Sequence, residues 1–457
     1  MKVFSEKPKV ILVPYPAQGH VTPMLMLATA FHRHGFLPIL LTPNYIHRQI
    51  SSPTHQHILF ISIPADGLDD DTQRDFFAVE TVLETAMPAH LKRLLGDLGG
   101  GVAGMVVDLL ASSAIRVGRE LGVPVAGFWP AMFATYRLIS AIPNMVQNGF
   151  ISSHTGSPVE GGSKRRVPNE PLLSAEELPW LIGTSSARKG RFEFWIRTMA
   201  RAKSLKWLLV NSFPEVEELI PTPKSSSGAA VFLVGPLSRH SSPAKTPTFW
   251  EEDGSCLQWL EKQSSDSVVY ISFGSWVSPI GESKVRSLAM ALLALRTPFI
   301  WVLRPNWRHG LPIGFTHKVG SYGRLVSWAP QREILRHRAV GCYLTHCGWN
   351  SIMEAIECRK RLLCFPVAGD QFLNCGYVVK VWRIGLKLNG FGEKEVEEGV
   401  RKVMEGDEMK ERLMKLHERA MGEEANCTIN SNFTAFTNDL NIDTQKLPTK
   451  VQPPINM

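Results

Sequence analysis

Two short apolar runs, Val10-Ile11-Leu12-Val13 and Val268-Val269-Tyr270-Ile271-Ser272-Phe273, constrain the fold more than anything else in the chain. Both are continuous rather than alternating in polarity, the pattern of a strand covered on both faces in a parallel sheet. After the first comes a loop with Gly19-His20 and then a helix opened by Thr22-Pro23, with proline where a helix tolerates the loss of an amide hydrogen. After the second comes a turn at Gly274-Ser275 and a helical pattern around Val285 to Leu295. Strand, loop and helix at the head of each half predict two α/β domains, each with its own doubly wound sheet. The length of 457 residues, beyond what a single core usually serves, agrees.

Punctuation places the boundaries. A stretch rich in Ser, Pro and Thr follows Gly235-Pro236, so we assign 1–237 to an N-terminal Rossmann-like domain, 238–253 to a linker and 254–424 to a C-terminal one. Residues 425–441 are expected as a C-terminal helix packing back on the N-terminal domain, and 442–457 as a loose polar tail. Ser152 to Pro168 reads as a surface loop.

Several classes fall away. No apolar run reaches the ~18 residues of a spanning helix, and Val10 to Val13 is too short for a signal-peptide core, so a cytoplasmic protein without a membrane span is expected. The seven cysteines, all from Cys256 onward, contain no C-x-x-C pair and suggest neither a disulfide framework nor a zinc site. A net charge of +8 is dispersed apart from Lys164-Arg165-Arg166 and Arg359-Lys360-Arg361, which argues against nucleic acid as a partner. Gly99-Gly100-Gly101-Val102-Ala103-Gly104 matches a dinucleotide fingerprint but precedes a strand instead of following one, so it reads as a turn. Asp69-Asp70-Asp71 spells D-x-D, yet no strand leads into it, and it reads as a solvated loop.

The chemistry concentrates between Trp328 and Gln371. Tyr343-Leu344-Thr345-His346-Cys347-Gly348-Trp349-Asn350-Ser351 carries a strand into a helix that Asn350 or Ser351 can cap. The amides of such a first turn, with the helix dipole behind them, make an anion site, and His346 adds a donor or a charge. Ser351-x-x-Glu354 is equally a capping box, which would leave Glu354 purely structural. Trp328 suits stacking on a flat base, and Asp370-Gln371 ends the segment with two polar side chains. Base, phosphate and polyol contacts together are what a nucleotide-sugar needs.

This 44-residue segment resembles, without a gap, the signature box of the plant secondary-metabolism UDP-glycosyltransferases, family 1 of the inverting enzymes. Agreement includes Trp328-Ala329-Pro330-Gln331, Thr345-His346-Cys347-Gly348-Trp349-Asn350-Ser351, Glu354, Pro366 and Asp370-Gln371, and extends to Pro14-Tyr15-Pro16-Ala17-Gln18-Gly19-His20 and Val234-Gly235-Pro236-Leu237. The resemblance implies a GT-B fold, two facing Rossmann-like domains with the donor and acceptor cleft between them. It implies that Trp328 stacks on uracil beside Ala329, that Gln331 and Glu354 hold the ribose, and that Ser275, His346, Gly348, Asn350 and Ser351 meet the diphosphate. Trp349, Asp370 and Gln371 would face the sugar. Where the family usually has Gly-Val-Pro, this chain has Arg359-Lys360-Arg361, which puts the local loop shape in doubt.

His20 lies after the first strand, where doubly wound sheets place their sites, and is the candidate general base. Asp108, ending the strand Met105-Val106-Val107, matches the family's carboxylate that orients the base. Phe128, Trp129 and Phe133 either wall an apolar acceptor pocket or pack in the core. The expected function is inverting transfer of a hexose, glucose above all, from a UDP-sugar to a hydroxyl of a small lipophilic acceptor, by a monomer without metal or cofactor. A nucleotide-sugar hydrolase or epimerase on the same fold, or a non-catalytic binding module, is the alternative.

Overall fold

The computed structural model describes residues 7–50, 56–64, 75–98, 101–159, 166–167, 170–215, 228–240, 249–275 and 280–445. Asp69-Asp70-Asp71, Gly99-Gly100, Lys164-Arg165, linker residues 241–248 and the tail beyond 445 lie outside them.

The chain forms two compact units, the first comprising Met1–Arg137, Ile196–Phe249 and Asn426–Met457. Its sheet contains β1 (Lys9–Val13), β2 (Leu37–Pro43), β3 (Leu59–Ile63), β4 (Val102–Asp108), β5 (Val125–Trp129), β8 (Trp207–Val210) and β9 (Ala230–Leu233), in the order β3-β2-β1-β4-β5-β8-β9. Every pairing is parallel. The sheet winds outward from β1 through β2 and β3, then returns to β1's other side at β4, which opens a crevice at the carboxyl ends of β1 and β4.

The helix Gln18–Arg33 follows β1 and starts four residues before the expected Thr22, so His20 belongs to its first turn rather than to a loop. The amides of His20 and Val21 both donate to Ala17 O at 2.9 Å, closing the turn early. Pro23 thus sits inside the helix, where its fixed φ is compatible and one amide bond is given up. The C-terminal helix Glu423–Gln445 lays Phe433 and Phe436 against Phe31 (ring centroids 5.0 and 6.1 Å), with Phe436 also meeting Trp207. Asn432 Nδ2 donates to Leu233 O at 2.9 Å.

The second unit comprises Leu138–Trp195 and Trp250–Ala425. Its parallel sheet of β10 (Val268–Ser272), β11 (Phe299–Val302), β12 (Gly323–Val326), β13 (Val340–Thr345), β14 (Arg361–Cys364) and β15 (Gly385–Lys387) has the order β12-β11-β10-β13-β14-β15. The reversal falls between β10 and β13. A hairpin of β6 (Arg166–Val167) and β7 (Glu170–Ser174) also belongs here. Residues 138–195, placed with the N-terminal domain from sequence, therefore pack with the other unit: β7 lies on the helix Gln371–Gly376, and Lys387 Nζ is 3.4 Å from Glu177 Oε1. None of them adds a strand to the first sheet, which is why punctuation alone misassigns them.

Arg359-Lys360-Arg361 has a structural explanation. Arg359, exposed, takes the left-handed conformation (φ 54°), and the amide of Lys360 donates to Ala355 O at 2.8 Å to end the helix Trp349–Glu357. A glycine adopts this shape freely, so the turn is a glycine-type turn built with arginine. Lys360 Nζ, buried, donates to His337 O and Val340 O at 3.0 and 2.7 Å, and Arg361 opens β14. Replacing Arg359 by Gly should relieve the left-handed strain and stabilise the fold by about 0.5–1 kcal/mol. Denaturant unfolding measures this, and a lower midpoint would refute it.

Candidate active site

At the crevice of the first unit, His20 Nδ1 and Asp108 Oδ2 are 2.7 Å apart, the imidazole 23 % exposed and the carboxylate fully buried. The other carboxylate oxygen, Oδ1, accepts from Leu110 N at 2.9 Å, which fixes the carboxylate while it caps the turn after β4. With Nδ1–H directed to Asp108, the tautomer that remains presents Nε2 as an acceptor. Tyr15 flanks the imidazole at 5.2 Å between ring centroids. The structure thus brings together two residues 88 positions apart in sequence, a contact that sequence separation alone could not show.

Phe128, Trp129 and Phe133 are 0–2 % exposed. Trp129 Nε1 donates to Met132 O at 2.9 Å, Phe133 stacks on Tyr136 at 5.8 Å, and the Phe133 amide donates to the buried Glu215 carboxyl at 2.6 Å. Protein surrounds all three, so this structure places them in core packing.

In the second unit, Ser275 follows β10 and His346 follows β13, again beside the strand-order reversal. The helix Trp349–Glu357 begins two to three residues earlier than expected: Gly348 is its N-cap, and Asn350 and Ser351 lie in its first turn instead of capping it. Gly348 has no side chain to bond the opening amides, so the dipole's positive end is left for an anion. Glycine is needed on both sides of His346, since a Cβ at Gly274 (φ 82°) or at Gly348 would come within 2.5 Å of its Nε2. Burial pushes the His346 pKa down to about 4, so it contributes a neutral N–H and not a charge.

Glu354 is not part of a capping box. Its Oε2 accepts from Gln331 Nε2 at 2.6 Å, while Gln331 Oε1 accepts from both Tyr270 and Tyr343 hydroxyls at 3.1 Å. The two tyrosines fix the orientation of the amide, and the amide fixes the carboxyl. Burial raises the Glu354 pKa to about 7. Half-buried Trp328 sits 4.5 Å from Trp250 between ring centroids, next to the buried Ala329. Arg304 lies over Trp250 and Trp307 (4.4 and 4.3 Å to the centroids) and donates to Ser275 O. Gln371 Oε1 accepts from Val367 N and Ala368 N at 2.9 and 3.0 Å, which leaves its NH2 as the group to offer a ligand. Asp370 Oδ2 is held by Asn374 Nδ2 at 2.8 Å, and Trp349 is 4 % exposed.

Tyr270, Tyr343, Asn374, Arg304 and Trp250 were not singled out from sequence. Tyr270 and Tyr343 read as ordinary strand residues, and Trp250 fell in the supposed linker; only the proximity of their elements reveals them.

A pH dependence follows. The Glu354 carboxyl is neutral below about 7 and charged above it, whereas His346 stays neutral throughout. If Glu354 accepts ribose hydroxyls, UDP-glucose affinity should rise between pH 6 and 8, and the slope should flatten in Glu354→Gln. Calorimetric titration across that range checks this; an unchanged slope in the variant contradicts it.

Two parallel α/β sheets, each with polar residues gathered at its reversal, are the architecture of the GT-B fold. Residues 248–420 match the family model described as UDP-glucoronosyl and UDP-glucosyl transferase. The chain is 53 % identical to UDP-glycosyltransferase 82A1 of Arabidopsis thaliana, over 96 % of this chain and 100 % of that one, and 32 % identical to UDP-glycosyltransferase 76B1 of the same plant, over 92 % and 94 %. Among solved structures it resembles Os79 from O. sativa in complex with UDP (TM-score 0.74, 26 % identity, 93 % of this chain and 99 % of that one). The chain belongs to the UDP-glycosyltransferase family, and is an enzyme that transfers a sugar from a UDP-sugar. No described helix is long and apolar enough to cross a membrane.

Proposed function

We propose that this enzyme transfers glucose from UDP-glucose to a hydroxyl of a small lipophilic acceptor by one inverting displacement in the cytoplasm. The observation that carries the reading is the His20–Asp108 pair at the carboxyl ends of β1 and β4. His20 Nε2 takes the acceptor proton as the acceptor oxygen attacks the anomeric carbon, and the bond from that carbon to the diphosphate oxygen breaks on the opposite face. A β-glycoside and UDP result from the α-linked donor. The imidazolium that forms is stabilised by Asp108. Charge developing on UDP is met by the helix N-terminus at Gly348 and by the neutral His346 N–H. Trp328 would stack on uracil, with Gln331 and Glu354 at the ribose. Seven unpaired thiols suit a reducing compartment.

The preference for glucose rests on the sugar-facing set. Trp349 and the Gln371 NH2 are uncharged, and the Asp370 carboxylate accepts hydroxyls but repels a uronate. In competition between UDP-glucose, UDP-galactose and UDP-glucuronate at equal concentration, glucoside should dominate; equal or greater use of either rival would count against the reading. Excess EDTA should leave the rate unchanged, since no cluster of carboxylates suited to a hard cation occurs among the described residues. Loss of turnover in EDTA, restored by magnesium or manganese, would overturn that part.

A further inference from the structure

Cys347, Cys364 and Cys375 come from three separate elements, yet their Sγ atoms all lie within 4.8 Å of one another. Parallel pairing sets Thr345, the last residue of β13, beside Cys364, the last of β14. The loop after β13 then turns through Cys347 in a left-handed conformation (φ 67°). Asn374, adjacent to Cys375, donates Nδ2 to Cys347 O at 3.0 Å and ties the helix Gln371–Gly376 to that loop. The three thiols are 0, 0 and 2 % exposed. Backbone pairing and an amide bond hold them in place, so the convergence does not depend on the sulfurs. No C-x-x-C spacing announces it in the sequence.

We propose that this trio is a binding site for a soft divalent cation of the zinc group, held by three thiolates. Sulfur ligands select soft ions, whereas magnesium and calcium require oxygen. Among the described residues no imidazole or carboxylate joins the set, so the protein supplies three ligands and not the four of a structural zinc site. Metal–sulfur bonds of about 2.3 Å in a trigonal plane separate the sulfurs by about 4 Å, which falls inside the 4.8 Å within which all three Sγ atoms lie. A divalent ion on three thiolates leaves one net negative charge, and a monovalent ion leaves two, which a buried site disfavours more strongly. Each thiol that ionises releases its proton to solvent, and nothing is oxidised or reduced. Cys347 stands between His346 and Gly348, and Cys375 lies on the helix that Gln371 opens. On the reading of those residues as donor contacts, the ion would link the diphosphate side of the site to its sugar side.

The test removes the half-exposed Cys358 and exposed Cys427 by serine substitution, then titrates the protein with Cd2+ over hours under a phosphine reductant. One cadmium per chain should bind, with a sulfur-to-cadmium charge-transfer band and proton release, and Mg2+ should give neither. The band should vanish in Cys364→Ala and in Cys375→Ala, with UDP binding reporting that each remains folded; Cys364→Ser serves if the alanine variant does not fold. Absence of the band while circular dichroism shows a folded protein would overturn the proposal, as would an undiminished band in these variants. Glycosyl transfer is read separately, so failure of the metal site and failure of the transferase reading are distinguishable.

Discussion

Replacing His20 by Ala is expected to lower turnover on an alcohol acceptor by roughly 10²- to 10⁴-fold, the usual contribution of a positioned general base. UDP-glucose affinity should change little, because the residues assigned to the donor lie in the other unit. Asp108→Asn should reduce turnover less: the imidazole stays, but it loses the charge that fixes its tautomer at 2.7 Å. Were His20 a packing residue only, its loss would lower the melting temperature while the folded fraction kept its rate. Melting temperature, calorimetric affinity and initial rate on one preparation separate these cases. The acceptor should be an aliphatic alcohol, since an acidic phenol ionises near neutrality and bypasses the base.

Glu354→Ala should have the opposite kinetic signature. It removes the proposed ribose acceptor and leaves the Gln331 NH2, now held at 2.6 Å, without that partner. Hydrogen bonds to a charged group are worth about 1.5–3 kcal/mol, so the KM for UDP-glucose at pH 8 should rise about 10- to 100-fold. The rate at saturating donor should stay within a few-fold, because His20 and Asp108 are untouched. An unchanged KM with a lowered melting temperature would return Glu354 to a purely structural role.

The strands at the head of each half were legible because parallel strands covered on both faces read as unbroken apolar runs. The strand-end placement of His20 was legible from the doubly wound pattern, but its role and its pairing with Asp108 were implied only by the family resemblance, because residues 88 positions apart carry no local sign of contact. Helix starts were less so: Gly348 caps its helix without a side chain, and the Gln18–Arg33 helix begins before its proline, so neither carries the usual signal. Glu354 was ambiguous for a physical reason, since Ser351-x-x-Glu354 fits a capping box until Gln331 is seen to claim the carboxyl. Tyrosine contacts to Gln331 and the three-thiol cluster depend on long-range proximity, on which local pattern is silent. The placement of 138–195 escaped for the same reason, because its packing partners in the second unit lie far along the chain.

The central claim, transfer to an acceptor hydroxyl with inversion, is tested most directly by incubating the enzyme with UDP-glucose and a panel of phenolic and terpenoid alcohols, following UDP release and the anomeric configuration of the product by NMR. The account predicts UDP release only when an acceptor is present, matched mole for mole by a β-glucoside. UDP and free glucose formed at the same rate without acceptor, an epimerised nucleotide-sugar, or an α-glucoside would contradict it.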